Sequence, residues 1–384
     1  MRNIKNRLLK TLFVAATGSL MACSGTDKPA DTTSVVMTET GLSACQKDNP
    51  ARPGEVLAIV QKLLNATAGQ GDPSKINLFS MPNHRSAFWD TPKLGFERAQ
   101  QELGNLGEWV FPPDKAAPLA DIIASQQSHM TMFTAMPAQG IALSAKSAAD
   151  MVAPINAAVA AGIPVVTFDA DSVASNRFFY VGPLNQPAGV VAGDEMFKAL
   201  GASPSGSVVI LSGATTETNL ADRALGAKTQ LEAKGLTVEI VNGNTDVNLT
   251  MNMDAAFAAH KDLKGFITLN GTWAPIAGAY LKTKSMAGTI KLIGWDLKVE
   301  TQPLLRDGTI QAALAQRAYF HGYLPVYLNY AIATLGKEKV ATLLGTSLSG
   351  PKGDLLNTGM DVVTSTNIDS YLSYQTDCLS VASN

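Results

Sequence analysis

Short apolar runs alternate with amphipathic segments along most of the chain. The alternation is clearest between Gly140 and Asp171, where an apolar run, an amphipathic segment and a second apolar run follow one another. In the middle segment Val152, Ile155 and Val159 recur at helical spacing, while both apolar runs are short and suit buried strands. This stretch therefore predicts a strand, a helix and a parallel strand joined by a right-handed crossover.

The same alternation continues on both sides of this unit. Before it, we predict a strand at 76–81 and a helix at 91–103 that turns Leu94, Phe96 and Ala99 inward. Further strands and helices are predicted at 53–66, 109–111, 117–127, 177–182, 186–200, 207–211, 220–234, 236–241, 250–261, 265–269, 274–284, 291–295, 299–306, 309–316 and 320–335. Regular alternation of this kind predicts the α/β class, with parallel sheets covered by helices on both faces. Because there are two such series, we expect two similar doubly wound lobes.

Two carboxylates follow the second strand of the central unit. Asp169 and Asp171 come directly after the apolar run that ends at Phe168. Open α/β sheets bind their ligands at the carboxyl ends of the strands. These side chains therefore indicate a polar ligand site, and the alternative interpretation is that they only cap the next turn.

The N-terminal segment has the pattern of a secretory signal. Basic residues lie within its first ten positions, an apolar stretch covers 11–20, and a small-residue cleavage site ends at Cys23. The Leu-Met-Ala-Cys ending resembles a bacterial lipobox. That resemblance implies that residues 1–22 are removed as a lipoprotein signal peptide and that Cys23 is lipidated, whereas a chance cysteine is the alternative. The polar residues 23–44 would then form a flexible tether.

Charge and motif content exclude several classes of function. Without residues 1–22 the chain has 26 basic and 32 acidic residues, and it contains no basic patch that would suit nucleic acid. It has no P-loop and its histidines are scattered singly, so we predict neither a cofactor nor a metal site. Asp169 and Asp296 could imitate the carboxylate pair of a glycosidase, an alternative that a turnover assay would test.

The two remaining cysteines are Cys45 and Cys378. In an oxidising compartment an even pair usually forms a disulfide, which here would close nearly the whole folded part into one loop. Two unpaired thiols are the alternative.

Several short motifs occur in a characteristic order between residues 75 and 375. They are Ala87-Phe88-Trp89, Glu102-Leu103-Gly104, the stretch 161–171, Tyr180-Val181-Gly182, Asn219 with Arg223 and Gly226, Asn270-Gly271, Gly294-Trp295-Asp296, Arg306-Asp307-Gly308-Thr309-Ile310 and Ala315-Gln316. With these motifs the chain resembles the type I periplasmic sugar-binding proteins, the group that includes ribose-binding proteins.

This resemblance implies two parallel-sheet lobes joined by a three-strand hinge, the periplasmic binding protein type I fold. The chain would cross between the lobes near residues 182, 316 and 355. The N-terminal lobe would then comprise residues 45–182 and 317–355, and the C-terminal lobe residues 183–316 and 356–378.

The resemblance also implies which residues hold the ligand. Aromatic rings pack against the C–H faces of a sugar, and carboxylates and amides hydrogen-bond its hydroxyls. The residues that match the family's ligand positions are Asn83, Phe88, Trp89, Asp169, Asp171, Asn219, Arg223, Asn270, Trp295, Asp296 and Gln316.

Alternatives remain open at some of these positions. Phe88 and Trp89 could be core residues, and Arg223 could form a structural ion pair. His84 and Arg85 could read a ligand carboxylate or phosphate, or could be exposed loop residues. Next to Thr272, Trp273 would add an aromatic ring at the edge of the cleft.

The expected function is that of a lipid-anchored solute-binding protein outside the cytoplasm, in the periplasm or at the cell surface. It would capture a sugar or polyol without chemical change and deliver it to the permease of an ABC importer. We expect a monomer that binds no nucleic acid and touches the membrane only through its anchor. A sensor that presents its ligand to a membrane receptor is the alternative.

Overall fold

A computed structural model describes residues 54–136, 138–202, 204–345 and 354–373. The predicted signal peptide, the tether, Cys23 and the Cys45–Cys378 pair lie outside these ranges. Within them, no helix is long and apolar enough to cross a membrane.

The strands are β1 (Asn77–Met81), β2 (Leu106–Trp109), β3 (Gly140–Leu143), β4 (Val165–Phe168), β5 (Phe179–Gly182), β6 (Ser207–Leu211), β7 (Thr237–Val241), β8 (Leu263–Thr268), β9 (Lys291–Trp295), β10 (Ala312–Gln316), β11 (Leu355–Asn357) and β12 (Met360–Val363). The helices are α1 (Gly54–Thr67), α2 (Asp90–Leu103), α3 (Leu119–Ala135), α4 (Val152–Ala160), α5 (Asn185–Leu200), α6 (Thr218–Ala233), α7 (Leu249–Ala259), α8 (Trp273–Thr283), α9 (Thr301–Arg306), α10 (Tyr319–Leu335) and α11 (Lys337–Leu344).

The strands form two six-stranded sheets of matching order. The first runs β11-β5-β4-β3-β1-β2 and the second β12-β10-β9-β8-β6-β7. All pairs are parallel except β10 and β12, which are antiparallel. The predicted α/β class and two-lobed design are therefore confirmed, and β4 and β9 hold equivalent places in the two sheets.

The chain passes between the sheets three times. The connections run from β5 to α5, from β10 to α10 and from β11 to β12. Arg317, on the second connection, donates to the backbone oxygen of Thr358 on the third at 3.3 Å and pairs with Asp361 at 3.1 Å. Side-chain bonds thus tie two of the three connections together.

Helix α10 returns to the first lobe and packs against α2. The two backbones approach so closely that a Cβ atom at Gly95 would lie 2.1 Å from the carbonyl oxygen of Tyr319. Only glycine fits there. The prediction that Leu94 faces inward is wrong: it is 39% exposed, because the helix buries the face that carries Gly95, Phe96 and Ala99.

Candidate ligand-binding site

A cavity lies where the carboxyl ends of strands from both sheets face each other. The space between its atoms is about 560 Å³, a figure that includes part of the solvent at its open side. The predicted site residues that line it are Asn83, Phe88, Trp89, Asp169, Asn219, Arg223, Asn270, Asp296 and Gln316. Sequence analysis did not assign a role to Ser86, Lys115, Glu217, Thr272 and Lys298, which also line it.

Asp169 and Asp296 occupy equivalent positions in the two lobes. Each is the first residue after its strand, β4 or β9, and each has left-handed backbone with φ of 58° and 57°. The backbone N–H of Asp169 donates to Val181 at 3.0 Å, and that of Asp296 donates to Leu314 at 2.7 Å. Non-glycine residues in this conformation are strained and often functional. The fold thus presents one carboxylate from each lobe to the same cavity.

Asp169 is held by neutral donors. Asn219 Nδ2 lies 3.2 Å and Ser144 Oγ 3.4 Å from its Oδ2 atom, while Arg223 Nη2 is 3.9 Å from Oδ1. Only 4% of the residue is exposed, and burial raises the pKa of its carboxyl to about 7 although Arg223 opposes the shift. Asp169 therefore titrates near neutral pH.

Arg223 connects several residues on the second lobe. Its Nε atom donates to Asn185 at 2.9 Å, its Nη2 atom donates to Gln316 at 2.7 Å, and its guanidinium lies 4.5 Å from the ring centre of Trp295. Gln316 in turn donates to Asp296 Oδ1 at 3.0 Å. The arginine is 2% exposed, so it is both a buried structural cation and a residue of the cavity wall.

The structure places Trp295 and Asp171 outside the cavity lining. Trp295 is the last residue of β9 and is fully buried in the core beneath Arg223, whereas Asp296, one residue past the end of the strand, lines the cavity. Asp171 accepts two hydrogen bonds from Arg177, at 2.5 and 2.7 Å. Arg177 also donates to Asp354 at 2.6 Å, so Asp171 belongs to a buried ion cluster.

The aromatic pair lies at the cavity edge on the first lobe. Phe88 is partly exposed and packs edge-on against Trp89, with ring centres 4.9 Å apart. Trp89 is 1% exposed and also contacts Phe168 of the core. Its Nε1 atom has no hydrogen-bond partner among the described residues. Trp89 is thus a core residue that also forms part of the cavity wall.

The structure decides the open alternatives for His84, Arg85 and Trp273. His84 lines the cavity instead of being an exposed loop residue, and burial lowers its pKa to about 3. Arg85 is exposed over the Phe111 ring and does not line the cavity. Trp273 is buried in the second lobe, and its Nε1 atom donates to Asp246 at 3.1 Å. Neither Arg85 nor Trp273 therefore contributes to the cavity lining.

Contacts across the cleft bring the lobes together. Lys146 of the first lobe pairs with Glu217 of the second at 2.8 Å, and Asn83 Nδ2 donates to Glu217 at 3.3 Å. Lys115 pairs with Asp246 on a more exposed side. Glu217 comes directly before α6, and Asn219 lies in the first turn of that helix. The sequence signal that could have identified Glu217 is its position in the loop that follows β6. The structure is therefore that of a closed cleft.

In the described part of the chain, no three His, Cys, Asp or Glu side chains come together in a way that could bind a metal ion.

Two curated relatives share part of the sequence. The chain is 29% identical over 182 residues to the D-ribose/D-allose-binding protein of Pseudomonas aeruginosa, which covers 44% of this chain and 54% of that protein. It is also 29% identical over 251 residues to the xylose/arabinose-binding protein of Sulfolobus acidocaldarius, covering 61% of this chain and 59% of that protein. The matches thus span just over half the length of these relatives.

Solved structures share the fold over more of the chain. An ABC transporter solute-binding protein from Burkholderia graminis, solved in complex with D-arabinose, is 25% identical with a TM-score of 0.66 and is covered over 99% of its length and 78% of this chain. A carbohydrate transporter solute-binding protein from Agrobacterium radiobacter has a TM-score of 0.67 at 20% identity, covering 79% of this chain and 99% of that one.

A family model described as a periplasmic binding protein domain matches residues 77–338, which include most of both sheets and the residues that line the cavity. Its members and the relatives above are binding proteins and not enzymes. From the matching sheets, the paired aspartates and this match, the chain belongs to the periplasmic binding protein family, with the type I fold.

Proposed function

We propose that the protein captures a neutral monosaccharide or similar polyol in the cavity between its lobes. The observation that carries this proposal is the pair Asp169 and Asp296, one carboxylate from each lobe at equivalent strand ends. A carboxylate accepts hydrogen bonds from two hydroxyls at once, so such a pair can bind both ends of a polyol. Phe88 and Trp89 provide apolar surface for the C–H face of a ring.

The charges around the cavity favour a neutral ligand over an acidic one. Lys146 and Lys115 are already paired with carboxylates of the opposite lobe. His84 is held neutral by burial. Arg223 lies 3.9 Å from Asp169, and both Arg223 and Lys298 oppose the rise that burial causes in the pKa of Asp296, so each of these cations already faces a carboxylate of the cavity. An acidic sugar would meet like charge in a low-dielectric site, which is unfavourable.

We further propose that the captured solute is delivered to an ABC importer from a position outside the cytoplasm. Relatives named as ABC transporter solute-binding proteins support this role. Opening and closing would occur about the three connections between the sheets. Asn83, Asn219, Asn270, Arg223 and Gln316 would hold the remaining hydroxyls, whereas Asp171 and Trp295 would support the site from behind.

A thermal-shift screen of the purified protein against pentoses, hexoses, inositols and disaccharides tests the proposal. A ligand that binds only the folded state raises the melting temperature by mass action. We expect a clear shift with one monosaccharide or a few related ones. A protein that melts at the same temperature with every sugar and polyol would contradict the proposed function.

Binding is expected to weaken as the pH falls below about 7 and to release protons near neutral pH. In the closed cleft without ligand the raised pKa of Asp169, about 7 instead of 3.8, keeps the carboxyl protonated on the acid side. If both oxygens of Asp169 accept from ligand hydroxyls, the carboxyl must be ionised, because the protonated oxygen would donate instead, so the proton leaves on binding. Calorimetric titration in two buffers of different ionisation enthalpy measures that release. Asp169→Asn is the control, and equal proton release by this variant would refute the assignment.

Cys23 is proposed to carry the lipid anchor. Cys23→Ser is expected to leave an unprocessed precursor without lipid, because the thioether bond to lipid requires the cysteine sulfur. Mass spectrometry of the membrane-extracted protein measures both changes. Normal cleavage and anchoring of the Cys23→Ser variant would refute the lipobox.

A further inference from the structure

Glu217 has three features that set it apart on the second lobe. It lies directly before α6, its carboxylate contacts two residues of the opposite lobe, and it lines the cavity. Lys146 Nζ lies 2.8 Å from Oε1, and Asn83 Nδ2 lies 3.3 Å from Oε2. All three residues are buried. A buried carboxylate is thus placed between a cation and an amide that both belong to the first lobe.

The charge of Glu217 determines which way the Asn83 amide is turned. An ionised carboxylate can only accept hydrogen bonds, so the Asn83 group that faces it must be the NH₂. The Asn83 Oδ1 atom is then turned away from Glu217. Within the described ranges this buried oxygen has no hydrogen-bond partner, although only 2% of Asn83 is exposed. A buried acceptor without a partner is costly, so a donor is expected at that point.

Asn83 is also a residue of the cavity lining, so a ligand in the cavity is the expected source of the missing donor. Lys146 holds the other carboxylate oxygen of Glu217 and so fixes its direction. Nearby, Ala148 donates to the backbone oxygen of Thr216 at 3.3 Å, which ties the same two loops together. Because these partners come from different lobes, the arrangement exists only when the lobes are closed.

We propose that Glu217 is a cross-lobe positioning residue: on closure, and held by Lys146, it fixes the Asn83 amide so that Oδ1 accepts a hydrogen bond from a ligand hydroxyl. This inference rests on the proposed function, since it assumes a ligand that donates from a hydroxyl. The contact between Asn83 of the first lobe and the ligand thus depends on Glu217 of the second lobe. Recognition of that hydroxyl is thereby coupled to closure.

A double-mutant cycle on the affinity for the best sugar from the screen tests this coupling. Asn83→Ala and Glu217→Gln are each expected to weaken binding about 10-fold, the effect of losing one good hydrogen bond. The double variant is expected to bind about as well as the weaker single variant, because both changes remove the same contact. Asp246→Asn is the matched control, since it breaks another cross-lobe ion pair, with Lys115, and Asp246 makes no contact with Asn83. When Asp246→Asn is combined with Asn83→Ala, the fold-losses of affinity of the two changes should multiply.

Two results would overturn the inference while the proposed function stands. In the first, the losses of affinity caused by Asn83→Ala and Glu217→Gln multiply in the double variant. In the second, Glu217→Gln binds the sugar as tightly as the wild type. If Glu217→Gln folds poorly, the paired change Lys146→Met with Glu217→Leu avoids a lone buried charge and should give the same coupling. If the wild type binds no sugar, the proposed function fails first. Small-angle scattering then tests closure alone, and a radius of gyration that is equal in the wild type and Glu217→Gln would overturn the cross-lobe role.

Discussion

Asp169→Ala is expected to abolish ligand binding while leaving the fold intact. Hydrogen bonds to a charged group contribute about 1.5–3 kcal/mol each, so losing two of them lowers the affinity about 100-fold or more. The carboxylate is also the only acidic group that the first lobe contributes to the cavity lining among the described residues. Titration calorimetry with the best sugar measures the loss.

The stability of the ligand-free protein should not fall in this variant. Burial raises the pKa of Asp169 to about 7, so above that pH its ionised form destabilises the folded state, and this destabilisation fades as the pH drops toward the ordinary value of 3.8. Asp169→Ala should therefore melt at the same temperature as the wild type or higher, most clearly at alkaline pH. Normal affinity combined with a large loss of stability would contradict the assignment.

Arg177→Met is expected to lower the free energy of unfolding by about 3–5 kcal/mol, because it leaves the buried carboxylate of Asp171 and the partly buried carboxylate of Asp354 without their partner. Arg177 holds Asp171 with two hydrogen bonds and Asp354 with a third, and it is itself buried. Ligand affinity of the folded variant should stay close to that of the wild type, since none of these residues lines the cavity. Denaturant titration measures the first quantity and calorimetry the second.

The exposed pair Arg306–Asp369 provides a matched control for Arg177→Met. Its charged atoms lie 2.7 Å apart, but 44% and 83% of the two side chains are exposed. Exposed pairs contribute about 0–1 kcal/mol, so Arg306→Met should change stability little. If Arg177→Met kept its stability but lost affinity, Asp171 would act in ligand binding after all.

The fold could be predicted from the sequence because its signals are local. Short apolar runs and amphipathic segments alternate regularly, and the two series correspond to the two sheets. Leu94 was predicted on the wrong face because apolar residues lie on both sides of α2, and the inner face is chosen by the close contact of Gly95 with α10. Helix α11 and strands β11 and β12 were not predicted. Strand β11 and helix α11 are short, so their sequences contain too few apolar residues in a regular pattern to predict them.

The site could be predicted only in part, since partners distant in sequence decide the roles of similar residues. Asp169 and Asp171 follow the same strand, and Arg177 draws only the second into an ion cluster. His84 has an ordinary loop sequence but is only partly exposed where it lines the cavity between the lobes. Trp295 is the exception, because it ends the apolar run 291–295 that predicts a buried strand, and that pattern alone could have placed it in the core.

The central claim is that the cleft closes on one neutral polyol held between Asp169 and Asp296. The most direct test is a calorimetric comparison of an aldose found in the screen with the sugar acid of the same carbon skeleton. We predict one ligand per chain, with the aldose bound at micromolar affinity or tighter and the acid bound at least about 100-fold more weakly, because its carboxylate would face Asp169 and Asp296. Equal or tighter binding of the acid would contradict this account.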